Sequence, residues 1–163
     1  MKYTKDLTLI AIFTTFLVVQ EQILSLIPNI QLTVFLIVLY SKKLGLLKTT
    51  IISLIYVILD NLFSGSFNLL FITFMFIGWM MIPLLLNTLF RKVESNITLA
   101  VLGVLFSFIY SWINIIPGCI TFSMDFIKYL KGDIIWELLL AISSFITILL
   151  LYNPCKKVFD RYI

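Results

Sequence analysis

The chain has 163 residues, 61% of them hydrophobic and 12% charged, with a formal net charge of +4 and no histidine; its mean hydropathy is +1.12. One domain's length with so little charge places it among integral membrane proteins, and the missing histidine removes the commonest general base, metal ligand and near-neutral proton switch. The basic residues fall in short clusters rather than one stripe, which excludes a nucleic-acid footprint.

Six apolar segments follow one another: Leu7–Ile27, Ile30–Tyr40, Leu46–Phe63, Leu69–Phe90, Ile97–Ile116 and Ile134–Tyr152. The first lacks a small-residue cleavage site and reads as structure rather than a signal peptide. A bilayer crossing takes about 20 residues, so the second segment must borrow from its flanks, tilt, or sit where the bilayer is thinned or covered by protein. Charge supports six crossings with both termini in the cytoplasm. Lys2, Lys5, Lys42, Lys43, Lys48, Arg91, Lys92, Lys156, Lys157 and Arg161 then lie inside, and only Lys128 and Lys131 outside, as the positive-inside rule requires. The expected fold is an all-α bundle of six transmembrane helices forming a single domain. Cys119 and Cys155 fall on opposite sides of the membrane, which predicts neither a disulfide nor a shared metal site.

Along the first segment Ala11, Thr15, Val18 and Gln22 share one side, and Thr14, Glu21 and Ser25 a neighbouring one. Small residues four apart let another helix approach closely, within the chain or from a partner. Pro28-Asn29 makes an outer turn before Gln31 and Thr33. In the third segment Thr49, Ser53, Tyr56 and Asp60 form a polar stripe that points among the helices. In the fourth, Asn68, Met75 and Trp79 share a face, and Pro83 predicts a kink near Gly78–Pro83. The fifth carries Gly103, Ser107 and Ser111 at a spacing of four, a close helix contact. The long outer loop 117–133 contains an amphipathic stretch that Gly132 ends, with Asp133 as N-cap of the last helix.

Sorted by depth, most of the acids lie toward the outer face. Glu21, Asp60 and Glu137 come from three separate segments, joined by Asn61, Asn68 and Asn114, with Trp112, Trp136 and Phe67 as flat apolar surfaces. Tryptophan near an interface can be no more than the aromatic belt, but a belt does not explain ionisable groups near hydrocarbon. Mostly apolar walls with a few convergent polar groups describe a small-molecule pocket. No matching polar set lies deep on the inner side, so the pocket is expected to be closed below. Carboxylates among aromatic rings favour a ligand with positive charge or several donors. No cofactor or metal is expected.

This layout, with the IPNIQLT turn (Ile27–Thr33), the LGLLKTT start of the third segment (Leu44–Thr50) and the DNLFSGSF turn after it (Asp60–Phe67), resembles the substrate-binding S component of energy-coupling-factor vitamin transporters. The resemblance implies high-affinity capture of a water-soluble vitamin or precursor, thiamine-like or pyridoxine-like, in a bacterial cytoplasmic membrane. The S component itself catalyses nothing; a transmembrane T subunit and two ATP-binding subunits drive it, and no Walker motif occurs here. Carried onto this chain, the family's ligand wall falls on Asn68, Trp112, Asn114, Trp136 and Glu137, with Asn29, Gln31 and Phe67 as lid candidates. The family's docking motif Ala-x-x-x-Ala corresponds to Ala11-x-x-x-Thr15, with its second alanine replaced. A structural protein resembling the rod-shape-determining membrane proteins would share size and topology without a ligand. An intramembrane aspartyl enzyme would need two close carboxyls, Glu21 or Glu137 beside Asp60.

Overall fold

The computed structural model describes residues 2–162 apart from Pro28 and Ser66; Pro28, expected in the outer turn, lies outside the described residues. Five helices account for nearly all of it: α1 (Lys2–Leu24), α2 (Thr33–Phe63), α3 (Leu69–Asn87), α4 (Asn96–Phe122) and α5 (Phe126–Tyr162). All five are long and apolar enough to cross a membrane. The six segments expected from hydropathy are thus carried on five helices, because the second and third are merged in α2.

That merger conceals a reversal. Gly45, inside α2, has φ 81° and ψ 178°, a region open essentially to glycine alone. In one straight helix Thr33 and Tyr56 would stand about 35 Å apart, at a rise of about 1.5 Å per residue. Instead both hydroxyls donate to the same Glu21 oxygen, at 3.1 and 3.4 Å. The chain therefore folds back at Gly45, and the arms 33–44 and 46–63 run in opposite directions.

Ionic contacts mark the end of the bundle where this bend lies. Lys48 pairs with Asp6 of α1 at 2.5 Å, and Lys43 pairs with Asp160 of α5. Lys42 donates to the carbonyls of Phe90 (2.7 Å) and Arg91 (3.2 Å) just beyond α3, and Lys156 pairs with Glu94 at 3.4 Å. The first turns of α1 and the last turns of α5 therefore share this basic end.

The interior is apolar and layered. Leu17, Val34, Ile37, Val38, Ile52, Val57, Ile82, Leu86, Phe106 and Ile148 are buried. Near the basic end Phe13 stacks on Phe159 and tilts against Tyr40, with centroids 4.9 and 4.8 Å apart. Many large apolar side chains face outward, among them Leu7, Phe16, Ile23, Ile142 and Leu150, a surface compatible with a membrane protein. Lipid tails are as apolar as leucine, so close contact and polar links hold the helices together. Gly103 lies against Ile148, and the Ser107 and Ser144 hydroxyls meet at 2.8 Å between α4 and α5. The polar stripe of α2 is inward as expected, with Thr49, Ser53 and Tyr56 buried.

Several expected boundaries differ. Helix α4 continues through Pro117-Gly118 to Phe122, and α5 starts at Phe126, so only residues 123–125 separate them. The amphipathic stretch is the first part of α5 rather than a separate surface helix. Gly132 does not terminate it, and Asp133 is not its cap; Asp125 accepts from the backbone N–H of Ile127 (3.0 Å) and Lys128 (3.2 Å) instead. Pro83 stands inside an unbroken α3. Cys119 and Cys155 are both free.

Candidate functional site

At the end of the bundle opposite the ion pairs, Glu21 organises a hydrogen-bond network between α1 and both arms of α2. Its Oε2 accepts from Thr33 Oγ1, from Tyr56 OH and from Gln20 Nε2 at 3.3 Å. Gln20 also donates to Thr33 Oγ1 (2.7 Å) and accepts from the Leu32 N–H (2.8 Å). With its amide nitrogen turned toward the carboxylate, Gln31 donates to Glu21 Oε1 and Thr33 Oγ1, each at 3.0 Å. Every one of these donors is neutral. They fix the carboxylate and spread its charge without cancelling it.

Beside this network lies a cavity of about 280 Å³. Glu21, Asn29, Gln31 and Tyr56 form one side, Met75, Trp79, Tyr110 and Asn114 another, and Tyr129 and Asp133 of α5 a third. Trp79 is fully buried and stacks on Tyr110 with centroids 3.7 Å apart. The backbone explains how so large a pair fits between α3 and α4. A Cβ at Gly78 would lie 2.7 Å from the Tyr110 ring, so only glycine admits the ring. Gly118 does the same for Tyr129, whose ring would lie 2.7 Å from an added Cβ. The indole N–H of Trp79 makes no hydrogen bond.

A second cavity of about 720 Å³ adjoins the first and shares Phe71, Met75, Tyr110 and Asn114 with it. Its remaining lining is Asn61, Gly65, Phe67, Asn68, Thr121 and Phe122, with no charged residue. Asn68 caps α3 by accepting from the Leu70 N–H at 2.9 Å. Phe67 and Phe122 are exposed at its mouth.

Of the residues singled out from sequence, Glu21, Asn29, Gln31 and Asn114 line the first cavity, and Asn61, Phe67, Asn68 and again Asn114 the second. Asp60, Trp112, Trp136 and Glu137 line neither. Asp60 is half-buried near the Glu21 network. Trp112 and Trp136 are 49% and 41% exposed, so they belong to the periphery of the bundle. Glu137 is fully buried, and its carboxyl accepts from Trp112 Nε1 at 3.3 Å while its other oxygen has no partner. Asn29 stands at φ 58°, a left-handed conformation asparagine tolerates, and its amide donates to the Trp136 carbonyl at 3.0 Å. Ala11 and Thr15 are exposed and share a shallow groove of about 320 Å³ with Ile12, Phe16 and Val19.

Tyr56, Trp79, Tyr110, Ser111, Tyr129 and Asp133 were not expected in the site. The shared face of Asn68, Met75 and Trp79 was the available signal: extended along α3, it leads from the mouth of the second cavity to the floor of the first. No group of three or more metal-ligating side chains occurs among the described residues. No protein-family model matches the chain, and neither the curated proteins nor the solved structures contain a significant match to it.

Proposed function

We propose that the protein is a membrane-embedded capture subunit of the S-component kind. It would bind a small water-soluble vitamin or precursor at the exterior face and hand it over with the help of a T subunit and two ATP-binding subunits, without transforming it. The observation that carries this reading is the 280 Å³ cavity at one end of an apolar bundle, walled by aromatic rings and by Glu21, Asn29, Gln31, Asn114 and Asp133. Its volume suits a small ligand. Buried apolar packing lies between it and the basic end, which favours a dead-end site over a pore.

In this reading the two arms of α2 are separate crossings, and the basic end faces the cytoplasm of a bacterium. The first arm is only about 18 Å long by rise per residue. It is tolerated because its polar start, Gln31 and Thr33, is satisfied by Gln20 and Glu21 rather than left to hydrocarbon. Asn29 and Phe67 would serve as lid residues, whereas Gln31, expected beside them, is buried in the Glu21 network; a T subunit would dock on the uncovered groove around Ala11 and Thr15. Native mass spectrometry of the protein purified in mild detergent, together with sequencing of co-purifying proteins, tests the proposal. A retained small molecule with a T subunit and ATPases is expected. Co-purification with cell-wall synthesis proteins and no bound molecule would overturn it in favour of a structural role.

A further inference from the structure

The two cavities differ in charge as well as size. The smaller one has two carboxylates in its wall, Glu21 and Asp133. Among the described residues neither is paired with a lysine or arginine, since the ion pairs all lie at the opposite end. The larger cavity is lined by neutral amides and by the apolar side chains of Phe67, Phe71, Met75 and Phe122. The floor of the smaller one is formed by the fully buried Trp79 ring stacked on Tyr110.

We infer that one ligand occupies both cavities in a fixed orientation: its cationic amine lies with Glu21 and Asp133, and its neutral planar body extends past Tyr110 and Asn114 between Phe67 and Phe122. The class is an amine-bearing aromatic or heteroaromatic compound, entering cation-first. Two uncancelled carboxylates in a narrow low-dielectric space attract a cation, and the adjoining aromatic rings reinforce that attraction. Reversing the ligand would leave the charge among phenylalanines and the carboxylates unmatched, a costly arrangement. This inference rests on the ligand-capture reading above and adds orientation and charge to it.

Thiol accessibility tests it without knowledge of the natural ligand. In a Cys119→Ser, Cys155→Ser background, single cysteines are placed by Ser111→Cys in the smaller cavity and Thr121→Cys in the larger. Each is treated with a cationic methanethiosulfonate (the ethyltrimethylammonium reagent) and an anionic one (the ethylsulfonate). The thiolate attacks the reagent's divalent sulfur, a mixed disulfide forms, the bond to the sulfonyl sulfur breaks, and methanesulfinate leaves. The ratio of cationic to anionic rates, normalised to free 2-mercaptoethanol, should be about tenfold higher for Ser111→Cys than for Thr121→Cys. Adding Glu21→Gln and Asp133→Asn should abolish the excess, and Asp133→Asn alone, outside the Glu21 network, should reduce it. 2-Phenylethylamine should slow modification of both positions, ethylamine that of Ser111→Cys alone, and phenylacetate neither.

Equal normalised ratios at the two positions, or protection by phenylacetate as strong as by 2-phenylethylamine, would overturn the orientation. So would failure of both Ser111→Cys and Asn114→Cys to react, since the cavity would then be closed to solutes. A charge difference with the expected protection by 2-phenylethylamine, in a protein that retains no molecule, would leave the orientation standing and count against high-affinity capture. A retained molecule without a charge difference would do the reverse.

Discussion

Replacing Gly78 by alanine probes the floor of the site directly. The added Cβ would lie 2.7 Å from Tyr110 Cδ2 and 3.3 Å from Cε2, so the ring must retreat by most of an ångström from ordinary contact. It has no easy path, because the ring is stacked on Trp79 at 3.7 Å and Trp79 is fully buried. Overpacking of this kind costs about 1–3 kcal/mol, which for a chain of this size lowers the melting temperature by roughly 3–10 °C. Gly132→Ala is the control. A Cβ added there would meet nothing within 4 Å, and a helical glycine replaced by alanine gains up to about 1 kcal/mol. Melting is followed in detergent by Trp79 fluorescence in a Trp112→Phe, Trp136→Phe background, which leaves the buried indole as reporter. Gly78→Ala should melt lower, shift the Trp79 emission and lose any retained small molecule, whereas Gly132→Ala should melt at the same temperature or higher. Unchanged melting and emission for Gly78→Ala would refute the claim that glycine is needed to seat the Tyr110 ring.

Other substitutions address the remaining elements. Gly45→Ala forces a side chain into φ 81°, ψ 178° at a cost of about 1–3 kcal/mol; a thermal shift assay should show that loss, and none would mean the bend relaxes. Thr33→Val removes a donor to Glu21 and leaves the Gln20 amide one acceptor short, costing about 1–3 kcal/mol by the same assay. Lys42→Met strips the Phe90 and Arg91 carbonyls of their charged partner, so hydrogen exchange should rise over residues 88–93. Asp125→Ala should speed exchange at Ile127 and Lys128 through loss of a cap contributing about 0.5–2 kcal/mol; Asp133→Ala should leave those amides protected.

The apolar runs located the helices because hydropathy reports what lies in hydrocarbon. It could not report the ends, where α1, α4 and α5 extend beyond the apolar stretch, α4 through Pro117 and α5 through Pro154. Pro117-Gly118 looked like a stop. The helix runs through it, with Pro117 buried and Gly118 making room for Tyr129. The reversal at Gly45 was legible as a basic turn, Lys42-Lys43-Leu44-Gly45.

The site was read by depth, and depth is only one coordinate. It found Glu21 and Asn114, which share both the level and the direction of the cavity. It misplaced Trp112, which is at the right level but turned about 100° from Ser111 on the helix, and Ser111 is the one that lines the cavity. On α5, Asp133 faces the cavity, while the Glu137 carboxyl one turn later is turned aside to Trp112. Trp79 and Tyr110 were hidden for another reason: apolar periodicity is the same whether a ring packs against a core or floors a cavity.

The opposed chemistries of the two ends make them answer to different solution conditions. The basic end is tied by Lys43–Asp160, Lys48–Asp6 and Lys156–Glu94, contacts that dissolved salt weakens by screening. The Glu21 end is tied by hydroxyls and amides without a countercharge, links that salt leaves largely alone. Raising ionic strength would therefore loosen the molecule from one pole only, freeing the terminal turns while the Glu21 pole keeps its shape.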